Sequence, residues 1–263
     1  STLDRSSAAS DVYKRQLSQW RSSWLSREGV FAVLSYFPAG VFCVSFLIPT
    51  PFNSIIDIIC LLTIAFSLAT VFCTAKIYAS LKTIRQWNHL LVVPVYLIIG
   101  LFDGAIFLML LLTIIDGLQF FQLNYFIIFL GAVAGLSKIL YWWSIDSTQS
   151  QSNTSTATGL GSSNKSVSML DAPTTSETFI MREMGFAIAR KHSRRLRLIT
   201  ILTLSIIPII IIFLMTQPIA LVSPMVLGII AILFSYFGTI IERWLFFAEA
   251  KHVAMLYYGA SKV

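Results

Sequence analysis

Charged side chains are scarce in this sequence. Asp, Glu, Lys and Arg make up 12% of its 263 residues, while 56% are apolar. A soluble domain usually carries about twice that charged share. The deficit excludes an ordinary water-soluble enzyme, a disordered tail and a nucleic-acid module. Cysteine is nearly lacking too. Cys43, Cys60 and Cys73 stand singly in apolar stretches with no Cys-x-x-Cys pair, which argues against a disulfide framework and against a thiolate metal site. Histidine is the third shortage. His89, His192 and His252 all lie in connections or beyond helix ends, so no span offers the paired ligands of a membrane-embedded haem. They read as surface histidines in basic juxtamembrane segments.

Long apolar sequence is what the chain has in quantity. Crossing a bilayer takes about 20 mostly apolar residues, and six segments qualify: 30–48, 55–75, 90–115, 120–143, 198–215 and 219–247. They are too long, and alternate too little, for lipid-facing barrel strands. The fold class is therefore all-α, an integral membrane protein with six transmembrane helices. Short turns at 49–54, around Asp116-Gly117 and around Gln217-Pro218 fall on one side of the membrane. Nearly all the basic charge falls on the other: Arg21, Arg27, Lys76, Lys82, Arg85, a crowd from Arg182 to Arg197, then Arg243, Lys251 and Lys262. The positive-inside rule makes that side cytoplasmic.

The polar stretches divide the rest. Residues 1–16 have neither an initiator Met nor the apolar core of a signal peptide. The string 7–16 looks like an adaptor or assembly remnant, so 1–16 is expected to be a non-native leader with the natural chain continuing upstream. A four-helix transmembrane region follows over 17–143. Residues 144–178, rich in Ser, Thr, Asn, Gln and Gly, read as a flexible linker. A basic juxtamembrane helix is expected over 179–197, and a two-helix region with a C-terminal tail over 198–263.

A charge inside a span is costly and directs attention to function. Asp103, in the middle of the third span, either relays protons or binds an ion, or is a neutral packing residue hydrogen-bonded to Ser or Thr on another helix. Asp57 sits close enough to a helix end to reach the interface. Lys138 is expected to snorkel toward the basic side, where Trp142 and Trp143 mark the aromatic belt. Glu28 opens the first span, where the helix dipole favours an acid. A carboxylate at the bilayer edge, beside Trp24 and the hydroxyl of Ser26, also suits a quinol headgroup. Quinol oxidation releases two protons, and a partly buried carboxylate can accept one. Glu242 and Arg243 either pair at a helix mouth, bind a partner, or belong to an amphipathic end entering the headgroups.

Four blocks carry a family resemblance: residues 22–28; 77–84 with Trp87; 183–186 with Ala189-Arg190-Lys191-His192; and 242–252 with Tyr257-Tyr258. In this order the chain resembles the membrane anchor subunit of dimethyl sulfoxide reductase, within the polysulfide-reductase-type quinol-dehydrogenase anchors. The resemblance implies an eight-helix bundle of which six helices are present. It implies a bacterial cytoplasmic-membrane protein that oxidises menaquinol for an anaerobic respiratory molybdoenzyme. The partners would be an iron–sulfur protein and a molybdopterin catalytic protein, with no haem and no cofactor on this chain itself. The family's quinol-site glutamate matches Glu28 through its Ser26-x-Glu28 context, with Trp24 and Tyr78 in the same implied quinol-binding set. Arg27, Glu242 and Arg243 fall to partner docking or to structure. The family's partner histidine would fall among the leader residues, which hold none. Asp103 departs from the small or apolar residue expected there. The family's partners commonly sit outside the membrane, whereas the charge bias puts the Glu28 end inside, so the side stays open. Two other readings remain: a secondary transporter or ion-translocating protein using Asp103, and a structural anchor without quinol chemistry.

Overall fold

A computed structural model describes residues 19–45, 53–116, 121–147, 190–217 and 222–251. The leader 1–16, most of the linker, the first part of the juxtamembrane segment and the chain beyond 251 lie outside these residues. In hydrocarbon, every backbone N–H and C=O must be bonded within its own segment, and a continuous helix does that. Six long helices follow among the described residues: α1 Trp24–Ser45, α2 Asn53–Ala79, α3 Val92–Asp116, α4 Phe121–Ser147, α5 Ser193–Met215 and α6 Pro224–Ala248. Each is long and apolar enough to cross a membrane, and no β-strand occurs among the described residues.

The ends differ from the apolar runs in instructive ways. α1 begins at Trp24 rather than at residue 30, because a helix continues through interfacial Ser, Arg and Glu that a hydropathy criterion rejects. α4 runs on to Ser147, taking in the first residues of the expected linker. α6 starts late, at Pro224, since proline's fixed φ and missing N–H suit the first helical turn.

The chain divides into two compact units, residues 1–80 and 81–263. In the first, α1 and α2 form an antiparallel hairpin. Trp24 meets Phe72 edge-on at 6.1 Å, and Phe31 lies 6.2 Å from Phe66. Thr63 and Thr70 donate their hydroxyls back to the carbonyls of Ile59 and Phe66, which hides those polar groups within the helix.

In the second unit, α3 to α6 run up and down around Phe102, Ile106, Ile127, Ile212 and Met215. Close helix approach depends on small residues, as membrane helix pairs require. A Cβ on Gly238 would lie 2.4 Å from the Leu204 backbone nitrogen. At this crossing α5 widens into a π-helical turn, Leu202–Ile206. Ser205 in that turn donates its hydroxyl to the Gly131 carbonyl at 2.8 Å, tying α5 to α4.

Two expectations are corrected here. Lys138 does not snorkel: its side chain is 1% exposed and ion-paired to Glu242. Trp142 is buried beside Lys138 and Arg197, so only Trp143 has the exposure of a belt residue. The basic side chain found a carboxylate on a neighbouring helix, which no single segment reveals.

Candidate functional site

The hairpin assembles Glu28 from two helices. Glu28 lies one turn inside α1, and no acid occupies the first turn, so it is not held by the helix end as the sequence suggested. Thr74 of α2 holds it instead. The Thr74 hydroxyl is 2.8 Å from Glu28 Oε1 and 3.0 Å from the Thr70 carbonyl, so its single proton can serve either acceptor. Ser26 is buried, Glu28 half-buried, and Tyr78 stands one turn beyond Thr74 on α2. Trp24 packs on Phe72 at the same end. Arg27 turns back on its own chain. Its Nε donates to the Trp20 carbonyl at 3.0 Å, its Nη2 to the Arg21 carbonyl at 2.5 Å, and its guanidinium lies 4.3 Å over the Trp24 ring. Of its two expected roles, the structural one is visible: Arg27 fixes the entry to α1. Asp57 is exposed near the start of α2, in keeping with an interfacial position.

The four-helix unit holds a larger polar assembly. Glu242 on α6 is fully buried, with Lys138 of α4 on one carboxylate oxygen and Arg243 on the other. Lys138 Nζ sits 4.3 Å from the Tyr141 ring and 4.9 Å from the Trp142 ring. Arg243 stacks 3.6 Å over Tyr96 of α3. The pairing expected of Glu242 and Arg243 is present, but Glu242 is no headgroup residue. Asp103 accepts hydrogen bonds from two hydroxyls of α6, from Ser235 at Oδ1 and from Thr239 at Oδ2, the latter at 2.8 Å. The expectation of Ser or Thr partners on another helix holds for its geometry.

The end of this unit is laced together by side chains whose cross-helix partners the sequence did not reveal. Arg197 of α5 bonds Glu249 at 2.7 Å and pairs with Asp146 of α4. Arg190 donates to the carbonyls of Ala248 and Ala250 at 3.0 and 2.9 Å, capping α6. Trp87 donates its indole N–H to the Phe246 carbonyl at 3.0 Å, and Tyr141 its hydroxyl to the Gln86 carbonyl at 2.9 Å. His89 is not a free surface histidine. The Leu91 N–H donates to its Nδ1 at 3.2 Å, which leaves the proton on Nε2, 2.8 Å from the Ser144 hydroxyl. Burial, then the neighbouring Arg85, lowers its pKa. Burial raises that of Glu249, opposed by Arg197. The signal that could have exposed the central pair was opposite charge at similar depth in two spans.

Over 257 aligned residues the chain is 30% identical to a sulfite dehydrogenase subunit of Allochromatium vinosum, covering 93% of this chain and 76% of that protein. No family model and no solved structure matches the chain. Six membrane-length helices and this similarity together define a multi-pass membrane subunit of an oxidoreductase. The chain belongs to the family of that sulfite dehydrogenase subunit.

Proposed function

We propose that the chain is the membrane anchor of a molybdenum-dependent sulfur-compound oxidoreductase and exchanges electrons between a quinone pool and a docked iron–sulfur protein. One observation carries the reading: a half-buried carboxylate, Glu28, oriented by Thr74 across a helix pair, on the same first turns of α1 as buried Ser26 and as Trp24, which packs on Phe72. In menaquinol oxidation the substrate gives up two electrons and two protons. Glu28 accepts one proton from a quinol hydroxyl, forming its own O–H bond, while Thr74 turns its hydroxyl to the Thr70 carbonyl, and the second hydroxyl proton passes to water at the bilayer edge. The electrons pass to the iron–sulfur partner.

The name of the Allochromatium relative favours the opposite direction. A dehydrogenase takes electrons from its substrate, and they would then reduce quinone, with Glu28 as the proton donor. The same carboxylate serves both directions, so the site assignment is independent of flux. In this proposal the chain sits in a bacterial cytoplasmic membrane, binds no haem, and relies on its partners for molybdopterin and iron–sulfur clusters. Membership of an oxidoreductase family disfavours the transporter reading.

An azido-quinone photolabel tests the location. Labelling of the assembled complex, followed by peptide mapping, should mark segments 22–28 and 74–78. Label confined to 81–251 would overturn the assignment to the hairpin.

A further inference from the structure

The second unit contains buried charge that quinone chemistry at Glu28 does not use. Four carboxylates mark a descent into it. Asp146 is 59% exposed, Glu249 10%, Glu242 0% and Asp103 7%. Asp103 lies eleven residues beyond Val92, roughly 16 Å along α3, or about half of a 30 Å hydrocarbon core. Nothing about anchoring requires an acid there.

Contacts join the groups in three successive sets: Asp146–Arg197–Glu249, Lys138–Glu242–Arg243, and Asp103 with its two hydroxyls. Arg197 bridges Asp146 and Glu249. Glu249 stands two turns beyond Glu242 along α6, roughly 10 Å, with Lys138 within electrostatic reach of both. Glu242 and Thr239 are three residues apart and share a helix face. Thr239 and Ser235 end the series on the two oxygens of Asp103. Among the described residues, the charged groups of α3, α4 and α6 facing this interior are Asp103, Lys138, Glu242 and Arg243, two of each sign. Hydroxyls, an ammonium and carboxylates are all groups that can release one proton and take up another.

We propose that this series is a proton path from the basic end of the α3–α6 unit to a proton-binding site at Asp103. A proton from water enters through Asp146 and Glu249. Lys138 passes an N–H proton to Glu242 and is refilled from Glu249. Glu242 passes its proton to the Thr239 hydroxyl oxygen as that hydroxyl releases its own proton to Asp103 Oδ2. One O–H bond forms on Asp103, the Thr239 hydroxyl is left turned toward Glu242 and resets by rotating, the other relay groups return to their starting state, and no oxidant is involved. Arg243 stays charged throughout and holds the second oxygen of Glu242 in place.

Infrared difference spectroscopy on the full chain in lipid vesicles reads this directly. Acidification should raise a carboxylic-acid C=O band that Asp103→Asn removes, and in D2O the band should shift quickly as the acid exchanges. Lys138→Met/Glu242→Gln removes both central stations while leaving Arg243 and Asp103 as opposite charges, so the interior stays neutral. In that variant the band should persist and its exchange should slow by about tenfold or more, a barrier increase of at least about 1.4 kcal/mol. Thr239→Val, a smaller change, should slow exchange as well. Absence of an Asp103-dependent band, or exchange as fast in Thr239→Val as in the parent, would overturn the path.

Discussion

Lys138 and Glu242 meet across the interior of the α3–α6 unit with 1% and 0% of their side-chain surfaces exposed. An ion pair at that depth is expensive to break, because removing one partner strands the other's charge. Lys138→Met should therefore destabilise the protein by about 3 kcal/mol, at the lower end for a broken buried pair, since Arg243 keeps its hold on Glu242. Glu242→Gln, which takes the carboxylate from both Lys138 and Arg243, should cost more than Lys138→Met. Thermal unfolding of the purified protein in detergent measures both, and a Glu242→Gln variant more stable than Lys138→Met would contradict the pairing.

This pair also marks the limit of what the sequence displays. Membrane helices reveal themselves through length and hydropathy, so all six segments could be read directly. Side-chain partners across helices could not. Lys138 in isolation looks like a snorkelling lysine, and Glu242-Arg243 like a helix end in the headgroups, until α4 and α6 are packed together. Asp103 could be narrowed to two alternatives from its depth alone, but only the fold supplies Ser235 and Thr239. Glu28 was singled out by its neighbours in sequence, whereas Thr74, 46 positions away, depends on the hairpin closing.

Helix spacing at the π-turn gives a steric test. Gly238→Ala places a methyl group against backbone atoms of Leu204, which cannot rotate away. The cost should be about 1–3 kcal/mol, as for overpacking elsewhere. Gly100→Ala, with nothing within 4 Å of the added Cβ, should be neutral or slightly stabilising. Equal unfolding temperatures for the two variants would contradict the close approach of α5 and α6.

His89 lends the fold a pH dependence of known sign. Its pKa in the fold is lowered from the ordinary 6.5 by burial and by Arg85. Below 6.5 the unfolded chain therefore binds more protons at this position than the folded one. The contribution of neutral His89 is complete above 6.5 and is lost as pH falls through its folded value. Melting temperatures at pH 8 and pH 5.5 should differ more for the parent than for His89→Gln, which keeps a donor for Ser144. An identical drop in both would remove His89 as the cause.

Cofactor content provides another check. With no histidine inside any of the six spans, the purified protein should show neither a Soret band nor a reduced-minus-oxidised haem spectrum. Stoichiometric haem b would contradict the haem-free reading.

The direct test of Glu28 is the assembled complex carrying Glu28→Gln, assayed twice. Glutamine keeps the size and can still accept from Thr74, but it neither takes nor gives a proton near neutral pH. Quinone-linked turnover should fall by about 10²-fold or more, the usual share of general acid–base catalysis. A soluble dye that exchanges electrons directly with the catalytic partners should support normal turnover, because it bypasses the membrane site. Loss of both activities would indicate failed assembly, which blue-native electrophoresis of the same sample detects. Normal quinone-linked turnover in an intact Glu28→Gln complex would contradict the proposed proton-transfer role and leave Glu28 as a residue that merely joins α1 to α2.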